Sequence, residues 1–204
     1  MISISSQLNI SSRSKPIARE LLLWILGVMF VSLLAQLTIR LPWTPVPITG
    51  QTFGVALMAL LFGRNRSLAV MTTYLLIGGL GAPVFSAGTS GLELGPTVGY
   101  LFGMSLGALV IGELANHGAC KSWLTAFFAA ACGSVITFTL GILVLALYIE
   151  PAQNSTAISA TSHTHATIGT LMTLGVLPFL PGDFLKNAFA AAIATRARRL
   201  LPRR

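Results

Sequence analysis

The sequence predicts an all-α integral membrane protein, a bundle of six transmembrane helices with a short outer-face helix before the last span. Of its 204 residues, 54% are hydrophobic and only 9% are charged, whereas a soluble domain carries roughly 25% charged residues. The apolar residues form long runs, and most of the basic residues fall between alternate runs. We therefore expect one membrane domain over residues 17–199.

Six apolar runs are candidates for membrane crossings, and a helical crossing needs about 20 residues. The runs are 17–39, 48–62, 67–81, 95–115, 122–149 and 181–199. The second and third are short, so a hairpin that enters and leaves by one face is an alternative. That hairpin would place Arg64 and Arg66 within the bilayer, where a charge costs roughly 2.5–3.5 kcal/mol. Two full crossings joined by a hydrated turn are therefore favoured.

The positive charges predict the orientation, because Lys and Arg accumulate in cytoplasmic loops. With six spans and both termini cytoplasmic, Arg40 lies outside and Lys186 lies in the last span. The cytoplasmic side then receives Arg13, Lys15, Arg19, Arg64, Arg66, Lys121, Arg196, Arg198, Arg199, Arg203 and Arg204. This distribution explains the net charge of +8 without a nucleic-acid partner. It predicts a multi-pass protein of the plasma (inner) membrane, with a short disordered cytoplasmic tail at 1–16 and a basic cytoplasmic C-terminus at 200–204.

The segment from His165 to Leu177 is apolar but too short to span, and Pro178 and Pro181 follow it. As a seventh span it would move the C-terminal arginines outside. We interpret it as a short helix at the outer face, which turns at the prolines into the last span. Asp183 then lies in the first turn of that span, where the helix dipole favours an anion.

Asp183 is the only aspartate of the chain, and Lys186 follows it on the same helix face. Charged residues within a membrane are usually functional. The two either neutralise each other as a structural ion pair or hold a polar ligand together. The stiff, proline-rich loop 41–49 and the glycine-rich loop 81–91 are predicted to cap a pocket above them, with ordinary turns as the alternative.

Glycines recur every fourth residue along the fourth span. Gly95, Gly99, Gly103 and Gly107 share one helix face. Small residues at this spacing let helix backbones approach closely. The row favours packing within the bundle over a docking face for another protein.

Several kinds of chemistry are excluded by the motifs. The glycine-rich segment 78–81 lacks the Gly-Lys-Ser/Thr of a phosphate-binding loop. Asp183 has no second aspartate for an aspartyl dyad. His163 and His165 lie in an outer loop with no cysteine or carboxylate pattern, so we predict surface histidines and no metal site. The sequence therefore predicts a ligand-binding membrane protein with no cofactor, and not an enzyme.

Four segments, in this order, resemble the BioY family: Thr44–Thr52, Gly81–Phe85, Gly95–Gly103 and Leu177–Lys186. The resemblance covers roughly residues 17–199. Each motif alone is a weak indication of the family, but four motifs in the same order are highly specific for it. BioY proteins are the biotin-binding S components of energy-coupling-factor (ECF) vitamin transporters. The resemblance implies a six-helix bundle with a biotin site near the outer face. It also implies a transmembrane T component and two ATPase subunits as partners that supply energy.

The family's paired Asp and Lys correspond to Asp183 and Lys186. Biotin has a polar ureido ring, an apolar thioether ring and a carboxylate tail, so its site needs an acceptor, an apolar wall and a donor or cation. We expect Asp183 to accept from the ureido ring, and Lys186 to donate to the ureido oxygen or to the carboxylate. The further candidates, for wall, lid and hydrogen bonds, are Tyr100, Phe85, Trp43, Ser86 and Thr89.

The docking surface for the T component is less well marked. S components often carry Ala-x-x-x-Ala in the first helix, whereas this chain offers Gly27, Ser32 and Ala35 without that motif. Two other functions stay open. One is an S component or transporter for another vitamin or small carboxylate. The other is a structural or regulatory membrane subunit, which would not need an Asp–Lys pair beneath glycine-rich loops.

Overall fold

A computed structural model of the chain describes residues 5–92, 95–154 and 167–200, and places side chains from residue 17 onward except at 150–154. The described residues form seven α-helices and one small antiparallel sheet. The helices are α1 (Ser5–Gln36), α2 (Gln51–Phe62), α3 (Arg64–Gly79), α4 (Val98–Asn116), α5 (Trp123–Asn154), α6 (Ile168–Gly175) and α7 (Leu180–Leu200). The strands are β1 (Thr38–Ile39) and β2 (Ile48–Thr49).

The structure confirms the predicted class, a helical membrane protein. By length and composition, three or four of its helical segments can cross a bilayer, whereas the sequence predicts six crossings. Residues 17–36 of α1, all of α4 and residues 123–149 of α5 are long and apolar enough to cross a bilayer. The pair α6–α7, bent by 51°, can form a fourth crossing. α2 is apolar but only 12 residues long. α1 begins at Ser5, so the segment interpreted as a disordered tail is helical over 5–16.

Helices α1 and α7 carry large apolar side chains outward and mostly small ones inward. In α1, Leu33 is 65% exposed, whereas Val31 and Ala35 are fully buried. Such an outward face suits lipid, because hydrocarbon does not penalise exposed apolar surface. The inward small residues allow close packing of the backbones.

The glycine row of α4 packs against α5, as the sequence predicts. A Cβ atom at Gly103 would lie 2.7 Å from the Cα of Thr137, and one at Gly107 would lie 2.8 Å from the Gly133 carbonyl oxygen. Gly99 meets the backbone of Leu140 in the same way. These contacts leave no space for a side chain, so Gly99, Gly103 and Gly107 belong to the interior of the bundle. Gly95, the fourth glycine of the predicted row, lies before α4.

One end of the bundle holds the basic residues of the α2–α3 turn. Arg64 pairs with Glu113 at 3.4 Å, and Arg66 pairs with Glu20 at 2.5 Å. Arg198, near the end of α7, donates to the Leu60 carbonyl at 3.0 Å. Since α7 spans about 30 Å at 1.5 Å per residue, its first turn, with Asp183, lies at the opposite end.

The short helix expected before the last span is α6. It begins after Thr167, whose hydroxyl accepts from the Thr170 backbone N–H at 3.3 Å. Its last residue, Gly175, accepts a hydrogen bond from Tyr100 in the first turn of α4. α6 therefore lies at the same end of the bundle as Asp183. The predicted surface histidines, His163 and His165, lie outside the described residues.

Candidate functional site

A cavity of about 270 Å³ lies at the end of the bundle opposite the basic residues. It is enclosed by β2 and the first turn of α2, the loop after α3, the start of α4, the middle of α5 and the start of α7. Small-molecule sites usually measure roughly 300–1,000 Å³, so this volume suits a compact ligand. The cavity joins elements that are far apart in sequence.

Asp183 presents one carboxylate oxygen to the cavity. Its side chain is 8% exposed and lines the cavity wall. The Asn187 amide donates to Oδ2 at 2.8 Å. The Ser134 hydroxyl of α5 also interacts with this carboxylate. Every fully buried side-chain polar atom of the described residues has a partner, whereas the described hydrogen bonds include none to Oδ1. Oδ1 is therefore open to the cavity and can accept from a ligand.

Lys186 lines the same cavity but is bound to α2 and β2. Its Nζ donates to the Thr49 carbonyl oxygen at 2.7 Å and to the Thr52 hydroxyl at 3.3 Å. An ammonium group has three N–H donors, so one remains for a ligand. The described ion pairs do not include Asp183 with Lys186. Asp183 and Lys186 therefore line one cavity without a direct ion pair among the described contacts.

Aromatic rings form the apolar wall. The predicted wall residues Phe85 and Tyr100 are both buried and both line the cavity. Tyr100 donates its hydroxyl to the Gly175 carbonyl at 2.9 Å, which leaves its ring as the surface toward the cavity. Phe138 and Phe179 complete the wall with ring centroids 6.4 Å apart.

The loop after α3 is fixed over the cavity by hydrogen bonds from polar side chains. The Gln51 amide donates to the Tyr74 hydroxyl at 2.5 Å, and that hydroxyl donates to the Val84 carbonyl at 3.0 Å. Gln36 donates to the Phe85 carbonyl at 3.2 Å. The loop is thereby tied to α1, α2 and α3.

Ser86 and Thr89 are in this loop, and both line the cavity, as the sequence suggests. The Thr89 hydroxyl donates to the Ser86 carbonyl at 2.9 Å. The Ser86 hydroxyl is free of such a bond among the described contacts. Both hydroxyl oxygens can still accept from a ligand.

Trp43 is the one predicted site residue that the structure does not bring to the cavity. Its side chain is 60% exposed, and the cavity-lining residues of this loop are Val46 and Pro47. The neighbouring Thr44 points inward instead, where its hydroxyl donates to the Leu174 carbonyl at 2.6 Å. The outward direction of Trp43 follows from this inward anchor.

Several lining residues were missed by the sequence analysis. Thr97 and Thr137 add hydroxyls, and Thr49 and Thr52 hold Lys186. A usable signal was present for Thr52, which ends the Thr44–Thr52 motif and lies in the first turn of the apolar helix α2. Thr137 carried no signal, because threonine in a membrane helix commonly bonds its own backbone, as here to Gly133 at 2.9 Å.

The predicted docking residues of α1 differ in how far they are buried. Gly27 is buried, and a Cβ atom there would lie 2.7 Å from Val70 of α3. Ala35 is fully buried, and Ser32 is half-buried with its hydroxyl donating to the Val28 carbonyl. Gly27 brings α1 close to α3, and it also lines an apolar surface groove between α1 and α2. Docking of the T component at this helix therefore stays a prediction. No cluster of metal-ligating side chains occurs in the described part of the chain.

Comparisons with known proteins agree with this architecture. The chain is 34% identical to a biotin transporter BioY of Thermotoga maritima over 176 residues, which are 85% of this chain and 94% of the relative. It is 34% identical to a biotin transporter BioY of Rhizobium etli over 182 residues, covering 83% and 89% of the two chains.

The fold also matches a solved structure. The crystal structure of an S component for biotin from an ECF-type ABC transporter superposes with a TM-score of 0.78 at 22% identity, over 92% of this chain and 94% of the other. The BioY family model matches residues 5–203. Because that match covers almost the whole sequence, the chain belongs to the BioY family.

Proposed function

We propose that the chain takes up biotin as the high-affinity substrate-binding S component of an ECF-type transporter. The observation that carries the proposal is the cavity, which combines an open carboxylate oxygen, an ammonium group and an aromatic wall. It occurs in a chain similar over most of its length to proteins named biotin transporters. The chain is a transport component and not an enzyme.

The polar groups of the cavity match the polar end of biotin. Oδ1 of Asp183 accepts from a ureido N–H, and the third N–H of Lys186 donates to the ureido oxygen or to the carboxylate. A hydrogen bond to a charged group contributes about 1.5–3 kcal/mol. Such groups give orientation and specificity in an otherwise apolar site.

The aromatic wall matches the apolar part of biotin. Phe85 and Tyr100 flank the cavity from the loop and from α4, while Phe138 and Phe179 lie on α5 and before α7. Burial of apolar surface adds roughly 25 cal/mol per Å². The wall therefore contributes affinity, while Asp183 selects the ureido ring.

The topology proposed for the chain has six crossings with both termini in the cytoplasm. It is supported by the separation of the cavity from Arg64, Arg66 and Arg198, which meet at the other end of the bundle. With the basic end inside, the cavity faces the outer side of the plasma membrane. This is the side from which an importer collects its substrate.

Energy for uptake is proposed to come from other chains. The sequence has no phosphate-binding loop, so a T component and two ATPase subunits are the expected partners. The S component would then provide the substrate site alone.

Equilibrium binding of radiolabelled biotin to the purified protein in detergent tests the proposal. We expect saturable binding with one site per chain, displaced by unlabelled biotin. Lipoic acid is the matched competitor, because it has a sulfur ring and a carboxylate tail but no ureido group. It should displace biotin poorly. Absence of saturable binding, or equal displacement by lipoic acid, would reject biotin as the substrate.

A further inference from the structure

We propose that Asn187 is a positioning residue for Asp183. It holds one oxygen of the carboxylate so that the other faces the ligand. Asn187 does not line the cavity, so it acts through Asp183 and not by touching the ligand. For biotin as the ligand, this inference rests on the function proposed above.

The contacts of the Asn187 amide carry the inference. Asn187 follows Asp183 by one helical turn in α7 and is 3% exposed. Its Nδ2 donates to Asp183 Oδ2 at 2.8 Å and to the Ser134 hydroxyl oxygen of α5 at 2.9 Å. An amide nitrogen has two N–H donors, and both are used. The amide therefore has one orientation, set by a second helix.

The two carboxylate oxygens of Asp183 have different partners. Oδ2 accepts a hydrogen bond from Asn187, and Oδ1 can accept one from a ligand in the cavity. Without the amide, only the Ser134 hydroxyl would still hold the carboxylate, and a ligand would have to complete its ordering on binding. Ordering a side chain on binding opposes association.

A purely structural role is the competing explanation. Asn187 also joins α7 to α5 through Ser134, and a buried amide without partners would be destabilising. A structural tie predicts reduced stability whatever residue occupies position 183. A positioning role predicts that the effect on binding depends on the Asp183 carboxylate.

The first test is a double-mutant cycle with labelled biotin. Asn187→Ala should weaken biotin binding roughly tenfold, equal to about 1.4 kcal/mol. In the Asp183→Asn background the same change should cost little further affinity, because no carboxylate remains to be positioned. Thermal unfolding of the same samples reports any general loss of stability. Equal losses in both backgrounds would overturn the proposal.

Thr195→Val is the matched control. Thr195 is a second buried polar residue of α7, and its hydroxyl bonds within the helix to the Ala191 carbonyl at 2.6 Å. It lies near the basic end, three turns from Asp183. Biotin affinity should be unchanged in this variant. An equal loss there would show that any buried polar change in α7 weakens binding, and would overturn the proposal.

A second test needs no ligand. Asp183 is the only aspartate of the chain, so protein labelled with ¹³C at the aspartate carboxyl carbon gives one side-chain carboxyl NMR signal. Asn187→Ala should move that signal, and Thr195→Val should not. If wild-type protein fails to bind biotin, the proposed function fails, and this signal still tests whether Asn187 holds the Asp183 carboxylate. A signal unmoved by Asn187→Ala would overturn it.

Discussion

Asp183→Asn keeps the shape of the side chain while removing its charge. Asn187 Nδ2 needs an acceptor at the present position of Oδ2. The carbonyl oxygen of the new amide will take that position, and its NH₂ group will then face the cavity where Oδ1 stood. A donor therefore meets the ureido N–H of biotin, and Lys186 loses the nearby negative charge.

The expected loss of biotin affinity in Asp183→Asn follows from these contacts. One hydrogen bond to a charged acceptor is removed, and such a bond contributes about 1.5–3 kcal/mol. At about 1.4 kcal/mol per decade, the dissociation constant should rise roughly ten- to hundredfold. The side-chain volume hardly changes, so the bundle should fold as before.

Equilibrium binding of labelled biotin to purified protein measures the effect, with thermal unfolding as the check on folding. Glu113→Gln is the matched control, because it makes the same chemical change at the basic end of the bundle, where Glu113 pairs with Arg64. That variant should bind like wild type. Unchanged affinity in folded Asp183→Asn protein would remove Asp183 from the site and refute the reasoning.

Three further predictions concern the loop, the orientation and the energy source. Gly78→Ala would place a Cβ atom 2.2 Å from the Phe85 ring. This variant should be less stable by about 1–3 kcal/mol and should bind biotin more weakly. Gly169→Ala, with no close contact, should change neither stability nor affinity. Equal stability and affinity of the two variants would contradict the packing argument. In cysteine-free protein, an impermeant thiol reagent on intact cells should label Thr89→Cys and miss Ser122→Cys, and the reverse would overturn the orientation. In liposomes the chain alone should bind biotin without hydrolysing ATP, and uptake should become ATP-dependent when the T component and ATPases are added; ATP hydrolysis by the chain alone would contradict the proposed division of labour.

The sequence predicts the positions of the helices well because apolar runs and proline breaks are local signals. The first turn of α7 with Asp183, and the separate short helix α6, are both found where expected. The glycine row of α4 also packs as expected. Helix length alone does not give six crossings, because α2 and α3 have 12 and 16 residues against the roughly 20 of a full span.

The direction in which a side chain faces depends on contacts between distant segments, so the sequence did not predict it at every position. Gly27 and Ala35 were predicted for a docking face, and the structure buries both, Gly27 against Val70 of α3. Trp43 was assigned to the wall of the site, but the inward anchor at Thr44 turns it outward. The role of Asn187 depends on a bond to α5 that no spacing within α7 indicates.

The most direct test of the account is an experimental structure of the protein bound to biotin. We predict density for the ligand in the cavity, with the ureido ring against Oδ1 of Asp183 and the apolar rings between Phe85 and Tyr100. Lys186 should keep its bonds to Thr49 and Thr52 and direct its third N–H to the ligand. Biotin bound elsewhere, or bound in the cavity with no contact to Asp183, would contradict the account.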